Sequence, residues 1–178
     1  ILTDDQPYQS MQYMPAGQKE LVAKGINFTN AYVTTPLCCP SRSSILTGLY
    51  VHNHGVKTNR APIGGATVFH DTNTLAVWLK DAGYRTALMG KYLNDFDELP
   101  EGYIPPGWDE WDAYVNKDPE KDYYYGYTLD ENGRTIRYGF DSKDYSTDVL
   151  RDKAVDFIKE NSDMPFFLMF TPYAPHQP

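Results

Sequence analysis

Two adjacent cysteines, Cys38 and Cys39, stand directly before Pro40-Ser41-Arg42 and a short apolar run that stops at Gly48; the chain has no other cysteine. A cysteine in the first turn of a helix faces unpaired backbone N–H groups and the positive end of the helix dipole. Pro40 suits such a turn, because its missing N–H would go unpaired there anyway. Arg42 adds a permanently charged fork that matches a tetrahedral oxyanion. The stretch therefore predicts a nucleophile beside an anion-binding pocket.

Further groups with chemical potential lie along the chain. Asp4 and Asp5 follow Ile1-Leu2-Thr3. Two neighbouring acids cannot both enter a core uncompensated, and together they suit a hard divalent cation held by carboxylate oxygens, or a solvated turn. His52 and His54 form an H-x-H pair that invites zinc, but no thiolate or carboxylate stands at ligand spacing outside the cysteine segment. Of the two, His54 is taken to line an anion pocket. His70 falls in a loop over 61–73 and is read as structural or solvated. Lys91 and Asn94 follow one apolar run, and His176 follows another.

These groups need elements to bring them together. Ile1-Leu2-Thr3 reads as the end of a strand whose beginning is missing. Met14 to Gly25 predicts a helix with Pro15 in its first turn, and Ile26 to Val33 a strand. Pro36 and the cysteines open the next helix, which Gly48 closes. Thr74 to Ala82 predicts another, with Leu75, Leu79 and Ala82 on one face and Gly83 as its stop. Tyr84 to Met89 reads as a buried parallel strand that delivers Lys91 to a sheet edge. Asp95 to Lys121 is rich in acids, Pro, Gly and Trp and reads as a long ordered loop packed down by Trp108 and Trp111. Asn132-Gly133 marks a hairpin over 123–138, expected to project from the main sheet. Ser146 to Asn161 carries an apolar stripe at helical spacing, and Phe166 to Phe170 is a buried strand. Ligands in such open α/β sheets gather beyond the carboxyl ends of strands. Asp4-Asp5, Lys91 and His176 are all placed there.

The chain has 178 residues, enough for one domain with a real core. Its net charge is 16 − 24 = −8. That argues against a nucleic-acid partner and sits awkwardly with an extended polyanion. A small anion entering a local basic pocket is easier to accommodate. The 15 tyrosines can stack on sugars, although packing and loop surface explain them more simply. No apolar run is long enough to span a membrane, and no signal peptide is visible. Asn27-Phe28-Thr29 is a glycosylation sequon.

The pattern C-x-P-S-R-x-x-x-L-T-G, carried here by Cys38, Pro40, Ser41, Arg42, Leu46, Thr47 and Gly48, resembles the type I sulfatase signature with every fixed position present. Tyr50 to Gly55, YVHNHG, is similar to the branch holding the N-acetylglucosamine-6-sulfatases and the extracellular heparan endosulfatases. The resemblance implies an α/β fold of the alkaline-phosphatase-like sulfatase type, with a mostly parallel central sheet flanked by helices, incomplete in this chain. It implies one catalytic domain of which 1–178 is the N-terminal part, with 95–145 as a loop and hairpin excursion. It implies that a formylglycine-generating maturation enzyme oxidises Cys38, and that Asp4, Asp5 and residue 38 hold calcium.

The same resemblance implies that Lys91 contacts the sulfate and that His176, within A-P-H-x-P, lines the sulfate pocket, with Arg42 as a further charge. Many sulfatases carry a histidine two residues after that lysine. Leu93 stands there instead, and Asn94 or a histidine of the 52–54 pair is expected to fill the space. GKYLN also looks like the glucosamine-6-sulfatase branch. The implied activity is removal of sulfate from a sulfated sugar in an extracytoplasmic setting, secreted, periplasmic or lysosomal. The segment alone is expected to be inactive, because an Asp-Asn pair of metal ligands and another basic residue have no match here. A phosphodiesterase or phosphonate hydrolase of the same superfamily, and a non-catalytic binder of sulfated glycans, are the competing expectations.

Overall fold

In the computed structural model, which describes residues 1–115 and 122–177, a five-stranded mixed sheet carries the site. The helices in chain order are α1 (Pro15–Gly17), α2 (Cys38–Thr47), α3 (Val51–His54), α4 (Leu75–Asp81) and α5 (Ser146–Glu160). The strands are β1 (Arg85–Gly90), β2 (Glu110–Val115), β3 (Thr128–Glu131), β4 (Arg134–Arg137) and β5 (Phe166–Thr171), in the spatial order β4-β3-β2-β1-β5. β1 lies parallel to both β2 and β5, while β2-β3 and β3-β4 are antiparallel.

The pleat sorts side chains between two layers, because successive residues of a strand face opposite ways. Leu88, Trp111, Ala113, Val115 and Met169 face the layer that holds Cys39 and Leu46 of α2 and Ala76 of α4. Ala87, Met89, Tyr114 and Leu129 face Leu150, Ala154 and Phe157 of α5. Helices thus cover both sides of the parallel part, as a parallel sheet requires. On the first side Trp111, fully buried, meets Tyr92, Phe96 and Trp108 at ring separations of 5.1, 5.2 and 6.1 Å.

The helix expected from Pro36 to Gly48 forms as α2. Cys39, Arg42, Ser43 and Leu46 give it one buried face at spacings of three and four, and Gly48 ends it with a left-handed φ of 68°. α4, β1, α5 and β5 also form as expected. Five expectations are corrected. Ile1–Thr3 is no strand; Leu2 donates one backbone bond to the Phe170 carbonyl (2.9 Å), which moors it beside β5 without a ladder. Met14–Gly25 is two short turns of different pitch, α1 and a π turn Gln18–Val22, preceded by a 3-10 turn Tyr8–Tyr13, with Leu21 exposed. Ile26–Val33 is not a strand, since no described strand lies beside it to pair with, and Phe28 and Tyr32 are exposed.

The fourth correction concerns 95–121, of which 116–121 lie outside the described residues. It contains the strand β2, whose Trp111, Ala113 and Val115 alternate with Glu110, Asp112 and Tyr114. The hairpin forms at Asn132-Gly133, both with positive φ (51° and 84°), as a type I′ turn requires. It does not project. Through β2 it extends the main sheet, and the Asn132 side chain accepts from the Trp111 N–H at 2.9 Å.

Candidate active site

Cys38 opens α2, and its sulfur meets the chain ends of two other elements. Lys91 leaves β1 at Gly90, where φ is 121° and a Cβ would lie 2.0 Å from the Thr171 carbonyl oxygen. That close approach lets the Lys91 N–H donate to the same carbonyl at 2.8 Å, so β5 fixes where the lysine starts. Its Nζ reaches Cys38 Sγ at 3.5 Å and Asp4 Oδ2 at 2.5 Å. Arg42, one turn along α2, donates to the Lys91 carbonyl at 2.6 Å and to Asp4 Oδ1 at 3.4 Å. Asp4, Arg42 and Lys91 are all buried. A buried charge is tolerated only when paired, and here one carboxylate serves two cations.

Asp5 and His176 complete the rim. His176 Nε2 lies 3.5 Å from Asp5 Oδ2, and its Nδ1 is 2.6 Å from the Gln177 carbonyl oxygen. Tyr124 donates its hydroxyl to the His176 carbonyl at 2.6 Å and so holds the turn after β5. Among the described residues the one group with metal-ligand spacing is Asp4, Asp5 and Cys38, whose ligand atoms lie within 4.8 Å of one another. A pair of carboxylates at that spacing suits a hard divalent cation.

The helix N-terminus is less open than the sequence suggested. The Cys39 N–H is taken by Asn59 Oδ1 at 2.8 Å, Pro40 has none, and the Ser41 N–H bonds the Leu37 carbonyl at 2.9 Å. Positive charge beside Cys38 therefore comes from Lys91 and Arg42 rather than from a row of free backbone donors.

His54 and Asn94 both have partners within the protein. His54 is buried between α2 and α3; its Nδ1 accepts from the Val56 N–H at 3.1 Å, which leaves Nε2 to donate to Ser44 Oγ at 3.1 Å. Burial holds its pKa below the usual value, consistent with a neutral ring that ties two helices together. Asn94 turns its side chain toward Cys39, with Oδ1 3.3 Å from the sulfur, and lies at the edge of a pocket shared with Lys91, Asp95, Asp97, Tyr123 and Tyr173. His52 stacks on Tyr50 at the surface, and His70 is exposed.

Two contributors had no sequence signal strong enough to find them. Tyr173 places its ring 5.0 Å from the Lys91 ammonium and stacks on Tyr123 at 3.9 Å. Asn59 reaches Cys39 from a loop twenty residues on. Only the tyrosine's place just after a buried strand hinted at its role.

A half-buried cysteine beside a buried lysine, with a shared carboxylate and paired acids at the same rim, is an arrangement able to hold a tetrahedral oxyanion. Comparison with known proteins makes the class specific. The profile of the Sulfatase family matches residues 1–178, and the chain belongs to that family. It is 45% identical over 187 residues to a putative extracellular sulfatase Sulf-1 homolog of Caenorhabditis elegans, a match covering all of this chain and 25% of that protein. It is 39% identical over 190 residues to the N-acetylglucosamine-6-sulfatase of Homo sapiens, covering all of this chain and 34% of that protein. The solved structure of BT4656 in complex with its substrate D-glucosamine-2-N,6-O-disulfate superposes with a TM-score of 0.78 at 30% identity, over 99% of this chain and 34% of that one. The fold is thus the alkaline-phosphatase-like sulfatase fold, and the chain spans between a quarter and a third of these relatives' lengths.

Proposed function

We propose that the protein removes sulfate from a sulfated sugar of the glucosamine 6-sulfate type, with residue 38 as the nucleophile position. The observation that carries this reading is the Lys91 ammonium 3.5 Å from Cys38 Sγ, held there by Asp4 and backed by Arg42. The sulfated glucosamine bound by BT4656 supports the substrate class. The extracellular description of the Sulf-1 relative supports an extracytoplasmic setting.

Cys38 is the position where a maturation enzyme would install formylglycine, and that group supplies an oxygen nucleophile for sulfur. The Asp4 and Asp5 carboxylates suit a calcium ion by donor type and would hold it beside residue 38, which would add an oxygen only once converted, and such an ion would supply positive charge at the same rim. The chain's own residues do the rest. Lys91 brings its cation to the point where the sulfuryl oxygens meet residue 38, and charge preorganised in a buried site needs no reorganisation during reaction. Arg42 fixes the lysine through its carbonyl and shares the Asp4 carboxylate. His176 presents an imidazole on the open side of the rim, where it can give a proton to the departing alcohol oxygen. Asp5 orients that ring.

The full-length protein, made in a cell able to convert the cysteine, should release inorganic sulfate from glucosamine 6-sulfate. Cys38→Ala should abolish release, and Lys91→Ala should lower kcat by roughly 100-fold or more. Turnover of phosphate diesters but not sulfate esters, or a Cys38 peptide that stays unmodified in such a cell while sulfated glycans still bind, would overturn the reading.

A further inference from the structure

The residue beside the nucleophile position is held more tightly than the nucleophile position itself. Cys39 is fully buried, whereas Cys38 is partly open. Asn59 Oδ1 accepts the Cys39 backbone N–H at 2.8 Å. The Cys39 thiol has two carbonyl-type acceptors for its one proton, Asn94 Oδ1 at 3.3 Å and the Asn59 carbonyl at 3.7 Å. The Asn94 N–H in turn donates to the Cys39 sulfur at 3.1 Å.

The loop bearing Asn59 is built to keep that side chain in place. Thr58 bridges Gly64, and a Cβ on Gly64 would lie 1.9 Å from the Thr58 carbonyl oxygen, so only glycine allows the crossing. Asp95, at a left-handed φ of 60°, accepts the Ala61 N–H at 3.1 Å and pairs with Arg60 at 3.4 Å. The Ala66 N–H donates to the Asn94 carbonyl at 2.8 Å. Loop 57–66 and residues 94–95 thereby close on Cys39 from two sides. The first turn of α2 is capped from outside, since its own N-cap residue, Leu37, has no side chain able to do so.

We propose that Asn59 is a positioning residue for the reaction: through Cys39 it fixes the first turn of α2, and hence the place of residue 38 against Lys91. Asn94 acts with it on the Cys39 thiol. The inference rests on the reading of residue 38 as the nucleophile position. Small displacements of a reacting group carry large rate penalties, so the effect belongs in kcat and not in substrate affinity.

The test uses full-length protein in two preparations. In protein from a host that leaves Cys38 unconverted, Asn59→Ala should raise alkylation of the Cys39 thiol and amide exchange of the Cys39 N–H at least about 10-fold at unchanged overall fold, read by mass spectrometry. In converted protein the same variant should lower kcat about 10-fold with KM within about 2-fold and formylglycine content unchanged. Asn59→Asp, which keeps the acceptor, should restore most of both. Wild-type exchange and alkylation rates in Asn59→Ala, or a kcat loss accounted for by lost formylglycine, or an equal loss in Asn59→Asp, would overturn the proposal. If wild-type protein shows no sulfatase activity, the functional reading fails while the exchange and alkylation measurements still decide the role of Asn59.

Discussion

At the scale of single residues, the site depends on one carboxylate shared by two cations. Asp4 pairs with both Lys91 and Arg42, which leaves the trio one net positive charge, and each of the three is buried. His54 illustrates a different use of a polar side chain. Both ring nitrogens are committed within the protein, and burial lowers its pKa. A group whose folded pKa lies below its unfolded value takes up its proton more readily in the unfolded chain. Its stabilising contribution is therefore present above the unfolded value of about 6.5 and is lost as pH falls through the lower folded value. The thermal midpoint of the wild type should exceed that of His54→Gln at pH 7.5, and the gap should shrink as pH falls below 6.5. Thermal melts across that range check this, and a gap that widens in acid would count against it.

At the scale of elements, close backbone approach decides where side chains start. Gly90 ends β1 against the Thr171 carbonyl of β5, and Lys91 leaves from that point. Gly90→Ala should cost about 3 kcal/mol or more, since it combines a positive φ with a backbone collision. Gly83 has a φ of 88° but open space around it, so Gly83→Ala should cost only about 1 kcal/mol of backbone strain. Denaturation of the two variants side by side tests the difference; equal losses would mean that contact with Thr171 is relieved elsewhere. Legibility of the elements followed how much of their signal was local. α2, α4, α5, β1 and β5 have their start, stop and apolar period in adjacent residues, and all were readable. β2 has the alternation of a strand, but Glu110 and Asp112 disguise it as loop.

Asp112 also matters at the scale of the whole molecule, because it ties the α5 layer to the sheet. Lys153 of α5 reaches Asp112 Oδ1 at 3.0 Å on β2 and Glu131 Oε2 at 2.8 Å on β3. Asp112 Oδ2 is buried with no hydrogen-bond partner among the described residues. Burial pushes this carboxyl up to about 6 against the pull of Lys153, with Glu131 and Glu110 adding to the rise. The folded state therefore binds the proton more tightly than the unfolded chain. The cost of the buried charge is present above pH 6 and is relieved as pH falls through about 6. Asp112→Asn removes that cost, so its thermal midpoint relative to the wild type should be highest near pH 7 and should decline toward pH 5. A relative midpoint that rises in acid would show the charge to be stabilising as it stands.

The sequence by itself determined the family and singled out Cys38, Asp4, Asp5, Arg42, Lys91 and His176, which the fold brings to one rim. Cys38, Arg42, Lys91 and His176 lie within or just beyond segments whose local pattern is strong, and a strand or helix end is where a parallel α/β fold gathers its ligands, whereas Asp4 and Asp5 follow a segment that forms no strand. Only the tertiary structure decided what His54, Asn94, Asn59 and Tyr173 do. A polar side chain's partner depends on which loops close together in space, and the partners of Asn59 and Asn94 lie 20 and 55 residues away in the chain. The same holds for β2 and for Ile26–Val33: pairing with a neighbour makes a strand, and that neighbour is chosen by the fold.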